Sequence, residues 1–225
     1  MIIAKYKFDK SIYENLIPTF NDGYTGYTIS DVVDSVNSNH IIRTIECDTL
    51  PTRIDFGVGG TEEQYTNRSD SLLAIYNLDT SAVTDGNRIV KGCRYMTEIN
   101  ASDWNTSNMV DMTAMFGYCT NLTSLDLSNW DTSNVIRMQA MFYGCNKLTT
   151  LDVSNWDNSK VTNMVCMFQN CPNLTSINLS NFNTSNVMGM GYMFCQCYKL
   201  TSLDVSNFDT SKVTDMQCMF HACEN

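Results

Sequence analysis

Trp104, Trp130, Trp156, Phe182 and Phe208 stand 26 positions apart with no insertion or deletion between them, and no other property of the chain restricts its fold as much. The same offset aligns Met112, Met138, Met164, Met190 and Met216, and the Met-Phe pairs that begin at Met115, Met141, Met167, Met193 and Met219. Six cysteines follow it too: Cys93, Cys119, Cys145, Cys171, Cys197 and Cys223. A degenerate copy precedes them, in which Leu73, Ile75, Leu78, Asp79, Thr80, Ser81 and Val83 match Leu125, Leu127, Trp130, Asp131, Thr132, Ser133 and Val135. A fixed period of this length marks a repeat architecture, because one unit cannot enclose its own apolar residues and its neighbours must stack on it. About six units are expected over residues 71–225, the first degenerate and the last truncated.

Within a unit, Leu122, Leu125 and Leu127 follow an L-x-x-L-x-L pattern whose Leu-Asp-Leu end alternates as a strand with one buried face must. After the turn Ser128-Asn129-Trp130-Asp131-Thr132, the apolar residues Val135, Met138, Met141, Phe142 and Cys145 recur at spacings of three and four. That spacing predicts a short helix, capped by Ser133 or Thr132 and ended near Gly144. The expected fold class is an α/β repeat: a leucine-rich-repeat solenoid with one short parallel strand and one short helix per 26-residue unit, preceded by a small β-rich N-terminal domain. The last unit stops at Cys223-Glu224-Asn225, before its next strand, so the expectation is a truncated chain or one that continues in a longer parent.

The phrase L-T-S-L-D-L-S-N-W-D-T-S-N-V-x-x-M-x-x-M-F-x-x-C, at residues 122–145, resembles the BspA-type leucine-rich repeats of bacterial surface proteins, and the resemblance covers roughly residues 73–225. It implies extracellular adhesion or protein binding rather than catalysis. Related repeats also occur in mycoplasma lipoproteins and in bacteriophage and prophage proteins of gut bacteria. The chain departs from exported members in showing no signal peptide and no lipoprotein cysteine near its start, where MIIAKYKFDKSIYENL breaks its hydrophobic run at Lys5.

Residues 1–70 lack the repeat and read as a small β-rich capping or attachment domain, with Pro18, Pro51 and β-type runs at 41–47 and 53–56. Such a segment either attaches the repeats to a larger assembly or covers the open edge of the first unit. Its six Lys/Arg against eleven Asp/Glu give −5, half of the chain's −10, so both halves are acidic. That charge repels nucleic acid and anionic membrane surfaces, and no stretch approaches the roughly 20 apolar residues of a membrane span. Phe56-Gly57-Val58-Gly59-Gly60 lacks the lysine and following helix pattern of a phosphate loop and reads as a turn.

Candidate chemistry is sparse. Cysteines stacked at equivalent positions point in parallel, which favours buried thiols over disulfides, and Cys166 and Cys218, two units apart, are too distant to bridge. With only His40 and His221 in the chain, Cys195 and Cys197 lack zinc partners, and no nucleophile signature is present. No catalytic residue, metal site or cofactor is expected. The Trp/Phe column reads as core, and sequons such as Asn105 and Asn121 carry no weight if the source is bacterial.

The exposed strand face supplies the candidate ligand-binding surface. Asp126, Asp152 and Asp204, with Asn178 between them, alternate with the buried leucines and form a polar stripe on the concave face. Ser124, Ser128, Thr150, Ser154, Ser176, Ser180, Ser202 and Ser206 flank it. The stripe suits a basic protein, a carbohydrate or a calcium ion, or it keeps a solvated face soluble. Three roles follow: a recognition or adhesion protein at a cell surface or outside the cell, binding a protein or glycan; a virion tail or fibre component with a receptor-binding solenoid; or, more weakly, an intracellular scaffold.

Overall fold

The computed structural model describes residues 2–9, 19–20, 27–33, 40–47, 54–56 and 72–223. The N-terminal strands are β1 (Ile2–Asp9), β2 (Thr19–Phe20), β3 (Tyr27–Val33), β4 (His40–Cys47) and β5 (Ile54–Asp55). The repeats contribute β6 (Leu72–Leu78), β7 (Glu98–Ile99), β8 (Thr150–Asp152) and β9 (Ser176–Asn178). The expected run at 41–47 lies in β4, whereas the expected Gly57–Gly60 turn lies outside the described residues. In β1 the alternation of side chains buries Ala4, Tyr6 and Phe8 and exposes Lys5. Arg43 is buried opposite Tyr6 because its charge is matched there. It donates to both Asp31 carboxylate oxygens, at 2.7 and 2.6 Å, and lies 5.0 Å from the centre of the Phe8 ring.

Five strands form one sheet in the order β3-β4-β1-β6-β7. β1 runs antiparallel to β6, whereas β6 and β7 are parallel. A strand ladder therefore crosses the division expected at residue 70, and β1 covers the edge that the first coil would otherwise leave open. Phe56 strengthens the junction, since its N–H donates to the Ile89 carbonyl at 2.6 Å and its ring meets Tyr6 edge-on at 4.8 Å.

The repeats correct the expected fold class. No described residue is helical, so the α/β solenoid with one helix per unit is overturned. In the segment expected to be helical, amides alternate between two destinations. Met112, Ala114, Phe116 and Tyr118 donate to Arg137, Gln139, Met141 and Tyr143 of the next coil at 2.6–2.9 Å. Met115, Gly117 and Cys119 instead donate three residues back, to Met112, Ala114 and Phe116, at 3.0–3.3 Å. A helix would send every one of these amides four residues back. The segment is thus a series of turns, each closed locally and then tied to its neighbour.

Two residues per coil hold left-handed backbone, which a helix interior cannot accommodate. Ala114, Ala140, Cys166, Tyr192 and Cys218 have φ of 52–59°, and Tyr118, Gly144, Asn170, Gln196 and Ala222 have φ of 57–70°. Gly144 escapes the usual penalty, about 1–2 kcal/mol for an L-residue, and Asn170 tolerates this backbone better than the others. The inter-coil hydrogen bonds and the burial that the turns permit offset it. Apolar residues at spacings of three and four face inward from successive turns as they would from a helix, so Met112, Met115, Phe116, Cys119 and Leu122 are all buried.

Identical side chains then stack into internal columns. Phe116, Phe142, Phe168 and Phe194 lie with ring centres 5.5–5.6 Å apart and nearly parallel planes. Trp104, Trp130 and Trp156 stack at 6.0 Å and are buried, as the core reading expects. Thr80, Thr106, Thr132 and Thr184 are buried and donate to the carbonyls of Asn105, Asp131, Asp157 and Asp209 at 2.9–3.1 Å. Thr132, expected as a helix cap, is a rung of this column. The thiols of Cys119, Cys145, Cys171 and Cys197 are free, fully buried and donate to carbonyls of the preceding coil at 3.1–3.2 Å. Burial pushes these thiols up from the usual range, well up for the first three and to about 12 for Cys197.

The leucine side is more loosely joined. β8 and β9 pair in parallel, and the Thr175 N–H reaches the Thr149 carbonyl at 2.9 Å. Between the preceding coils the equivalent bond, from Thr149 to Thr123, is 3.4 Å, and the 122–128 segment is in no strand.

Candidate recognition surface

The stripe is positioned by one local motif repeated in four consecutive coils. Thr150 and Asp152 lie in β8, and Ser176 and Asn178 in β9, whereas Ser124, Asp126, Ser128, Ser202, Asp204 and Ser206 lie outside regular strands. Ser154 is half-buried, and the other eleven expected residues, Ser180 among them, are exposed. In each coil the third backbone N–H of an Asp-x-Ser or Asn-x-Ser triplet donates to the first side chain. Ser128, Ser154, Ser180 and Ser206 donate in this way to Oδ1 of Asp126, Asp152, Asn178 and Asp204 at 2.9–3.2 Å. These are side-chain-mimicked turns, for which Asp and Asn are equally suited.

A second row escaped the sequence reading. Five positions further on, Ser133, Ser159, Ser185 and Ser211 donate to Asp131, Asp157, Asn183 and Asp209 at 2.9–3.0 Å. The signal was present in the recurrence of the same triplet within Leu-Asp-Leu-Ser-Asn-Trp-Asp-Thr-Ser. Between the two rows, Asn129, Asn155, Asn181 and Asn207 donate side-chain N–H to the carbonyls of Ser102, Ser128, Ser154 and Ser180 in the coil before, at 2.7–3.4 Å. Thus each coil presents two exposed acidic or amide groups, at fixed separation, on a surface whose turns are already internally bonded. A cleft of about 270 Å³ opens where the leucine side is loosest, lined by Leu125, Asp126, Leu127, Ser128, Asp152, Ser154 and Asn155.

The Ser128 hydroxyl and N–H hold the Asp126 carboxyl below its ordinary value, and the hydroxyls and N–H groups of Ser133, Ser159 and Ser206 act likewise on Asp131, Asp157 and Asp204. For Asp152 and Asp209 the serine N–H contributes most. A depressed folded-state pKa means that these carboxylates support the fold above the unfolded aspartate value, about 3.9, and lose that support as pH falls through their folded values. The urea midpoint is therefore expected to hold from neutral pH to about pH 4 and to drop below it. Replacing all six aspartates with asparagine should flatten that drop, and an unchanged profile in this variant would assign the acid sensitivity elsewhere.

Among the described residues no group of three or more His, Cys, Asp or Glu side chains could hold a metal ion, so the calcium alternative gains no site from these carboxylates. His221 is exposed near a turn, and no described helix is long and apolar enough to cross a membrane.

Fold and surface together define a repeat protein, without helix among the described residues, whose stacked coils display one polar motif many times over. Its family follows from comparison: the model described as "Mycoplasma protein of unknown function, DUF285" matches residues 61–152 and 146–225, and the chain belongs to that family. In general terms this is a BspA-like surface repeat family, and its description leaves the function open. No curated protein and no solved structure matches the chain.

Proposed function

We propose that this is a non-enzymatic recognition or adhesion protein of a cell surface, which binds a protein or glycan partner through the face bearing Asp126, Asp152 and Asp204. The observation that carries this reading is the repetition of one exposed, locally locked turn in consecutive coils of a chain from a BspA-like family. Groups held in place before binding lose little freedom when a partner arrives, which favours recognition. A multiplied motif also suits a large or repeated partner more than a single small substrate. The reading as a non-enzyme draws support from the thiol column, whose members are sealed in the core and held protonated.

The test is binding of the labelled full chain to whole bacterial cells and to a panel of extracellular-matrix glycoproteins. The informative variant changes Asp126, Asp152 and Asp204 together to asparagine, because Asn178 makes the same turn and the fold is thereby kept. Saturable binding reduced at least tenfold, or about 1.4 kcal/mol, is expected in the variant. Equal binding by both proteins would remove the stripe from the site, and no binding by the wild type to any cell or matrix protein would reject the adhesion reading.

A further inference from the structure

Within the repeats, three cysteines fall outside the periodic column. Cys166 and Cys218 occupy a column that other coils fill with Ala114, Ala140 and Tyr192, and Cys195 a column otherwise holding Gly117, Tyr143, Gln169 and His221. Nothing in the packing of these columns requires sulfur, yet the last three coils each place one cysteine there. The three differ in exposure: Cys218 is exposed, Cys166 half-buried and Cys195 buried at 4% exposure.

Backbone hydrogen bonds fix how Cys195 and Cys218 face each other. The Cys195 N–H donates to Tyr192 O at 3.1 Å and the His221 N–H to Cys218 O at 3.1 Å, so each pair closes a turn. Across the coils, the Tyr192 N–H donates to Gln217 O at 2.7 Å and the Gln196 N–H to His221 O at 2.8 Å, which sets Tyr192 against Cys218 and Cys195 against His221. Cys195 and Cys218 are thus opposite corners of a four-residue patch, with a Cα separation of about 7 Å from coil spacing and turn width. That lies just beyond the usual disulfide range, about 4.4–6.8 Å, so a bridge requires the backbone to move. The coil carrying Cys218 would have to supply that movement, and its Leu203, Val205, Phe208 and Val213 are only partly buried. Burial, followed by the neighbouring Cys218 sulfur, pushes the Cys195 thiol up, as expected of two sulfurs in close company.

We propose that Cys218 and Cys195 form a thiol-modification site that takes low-molecular-weight disulfides and closes into a staple between the last two coils. The exposed Cys218 thiolate attacks one sulfur of oxidised glutathione, forming a mixed disulfide and releasing one glutathione thiolate. The Cys195 thiolate then attacks the Cys218 sulfur, forming the Cys195–Cys218 bond and releasing the second glutathione. The protein loses two hydrogens, and the reagent is reduced to two thiols.

The full chain is treated with oxidised glutathione, alkylated in the native state and mapped by trypsin and mass spectrometry. Lys199 and Lys212 lie between the two cysteines, so only a bridge keeps their peptides together. Expected are a Cys195–Cys218 linked pair, a Cys195→Ser variant that stops at glutathionylated Cys218, and column cysteines alkylated only after denaturation. A glutathione adduct that persists on wild-type Cys218, a bridge from Cys195 to Cys166, or no reaction at Cys218 would each overturn the proposal. The same two columns hold alanine and histidine in other coils, so serine is expected to leave the fold intact, and an unchanged urea midpoint checks this for the variant.

Discussion

Phe142→Ala is expected to lower the stability of the chain by about 3–5 kcal/mol, read as a shift of the urea midpoint. Phe142 is fully buried, stacks on Phe116 at 5.6 Å and on Phe168 at 5.5 Å, and lies against Trp156 at 6.3 Å. Truncation removes transfer energy, leaves a cavity between two rings that stay in place, and deletes stacking worth about 0.5–1.5 kcal/mol per pair beyond burial. Whole domains are stable by only about 5–15 kcal/mol, so one ring accounts for a large share. Phe220 provides the control, because it occupies the same column but is 46% exposed and stacks on Phe194 alone among the described rings, at 5.8 Å. Phe220→Ala should cost less than half as much. Equal losses in the two variants would show that the column does not hold the coils together.

Asn158→Thr is expected to stabilise the protein by about 1–3 kcal/mol, an unusual sign for a core substitution. Position 158 falls in the threonine column, where Thr132 and Thr184 donate to carbonyls 25 residues ahead. Asn158 is completely buried, and neither its Oδ1 nor its Nδ2 has a hydrogen-bond partner. Desolvating an amide without replacing its bonds is costly. Threonine at this position would place its hydroxyl against the Asn183 carbonyl, as Thr80, Thr106, Thr132 and Thr184 do in their own coils. For a chain of this size each kcal/mol raises Tm by about 2–4 °C, so calorimetry resolves the effect. A lower Tm in the variant would show that the column geometry differs at this coil.

Much of the interior was legible beforehand because inward-facing residues recur at one offset. Trp104, Met138, Phe142 and Cys145 were assigned to the core from spacing alone, and all are buried. Asp126 and Asp152 were placed outside because they alternate with leucines, and both are exposed. The row at Asp131, Asp157 and Asp209 is not legible from the strand pattern, because its turn motif does not depend on strands. Ser133 and Thr132 were misread as helix caps for a related reason. Serine, threonine and aspartate favour turns and helix starts by the same side-chain-to-backbone bond.

The sequence by itself determined the period and the identity of the inward columns, because burial depends on which residues recur together. Tertiary structure alone decided that Val135 to Cys145 is a run of turns rather than a helix. Both arrangements turn residues at spacings of three and four toward the core, so hydrophobic periodicity is the same for each. They differ in where the amides go. Met138, Ala140, Phe142 and Gly144 find their acceptors at Asn163, Val165, Met167 and Gln169, 25 residues ahead in the neighbouring coil. Those acceptors exist only once the coils have stacked, and they compensate the left-handed backbone at Ala140 that local propensity disfavours.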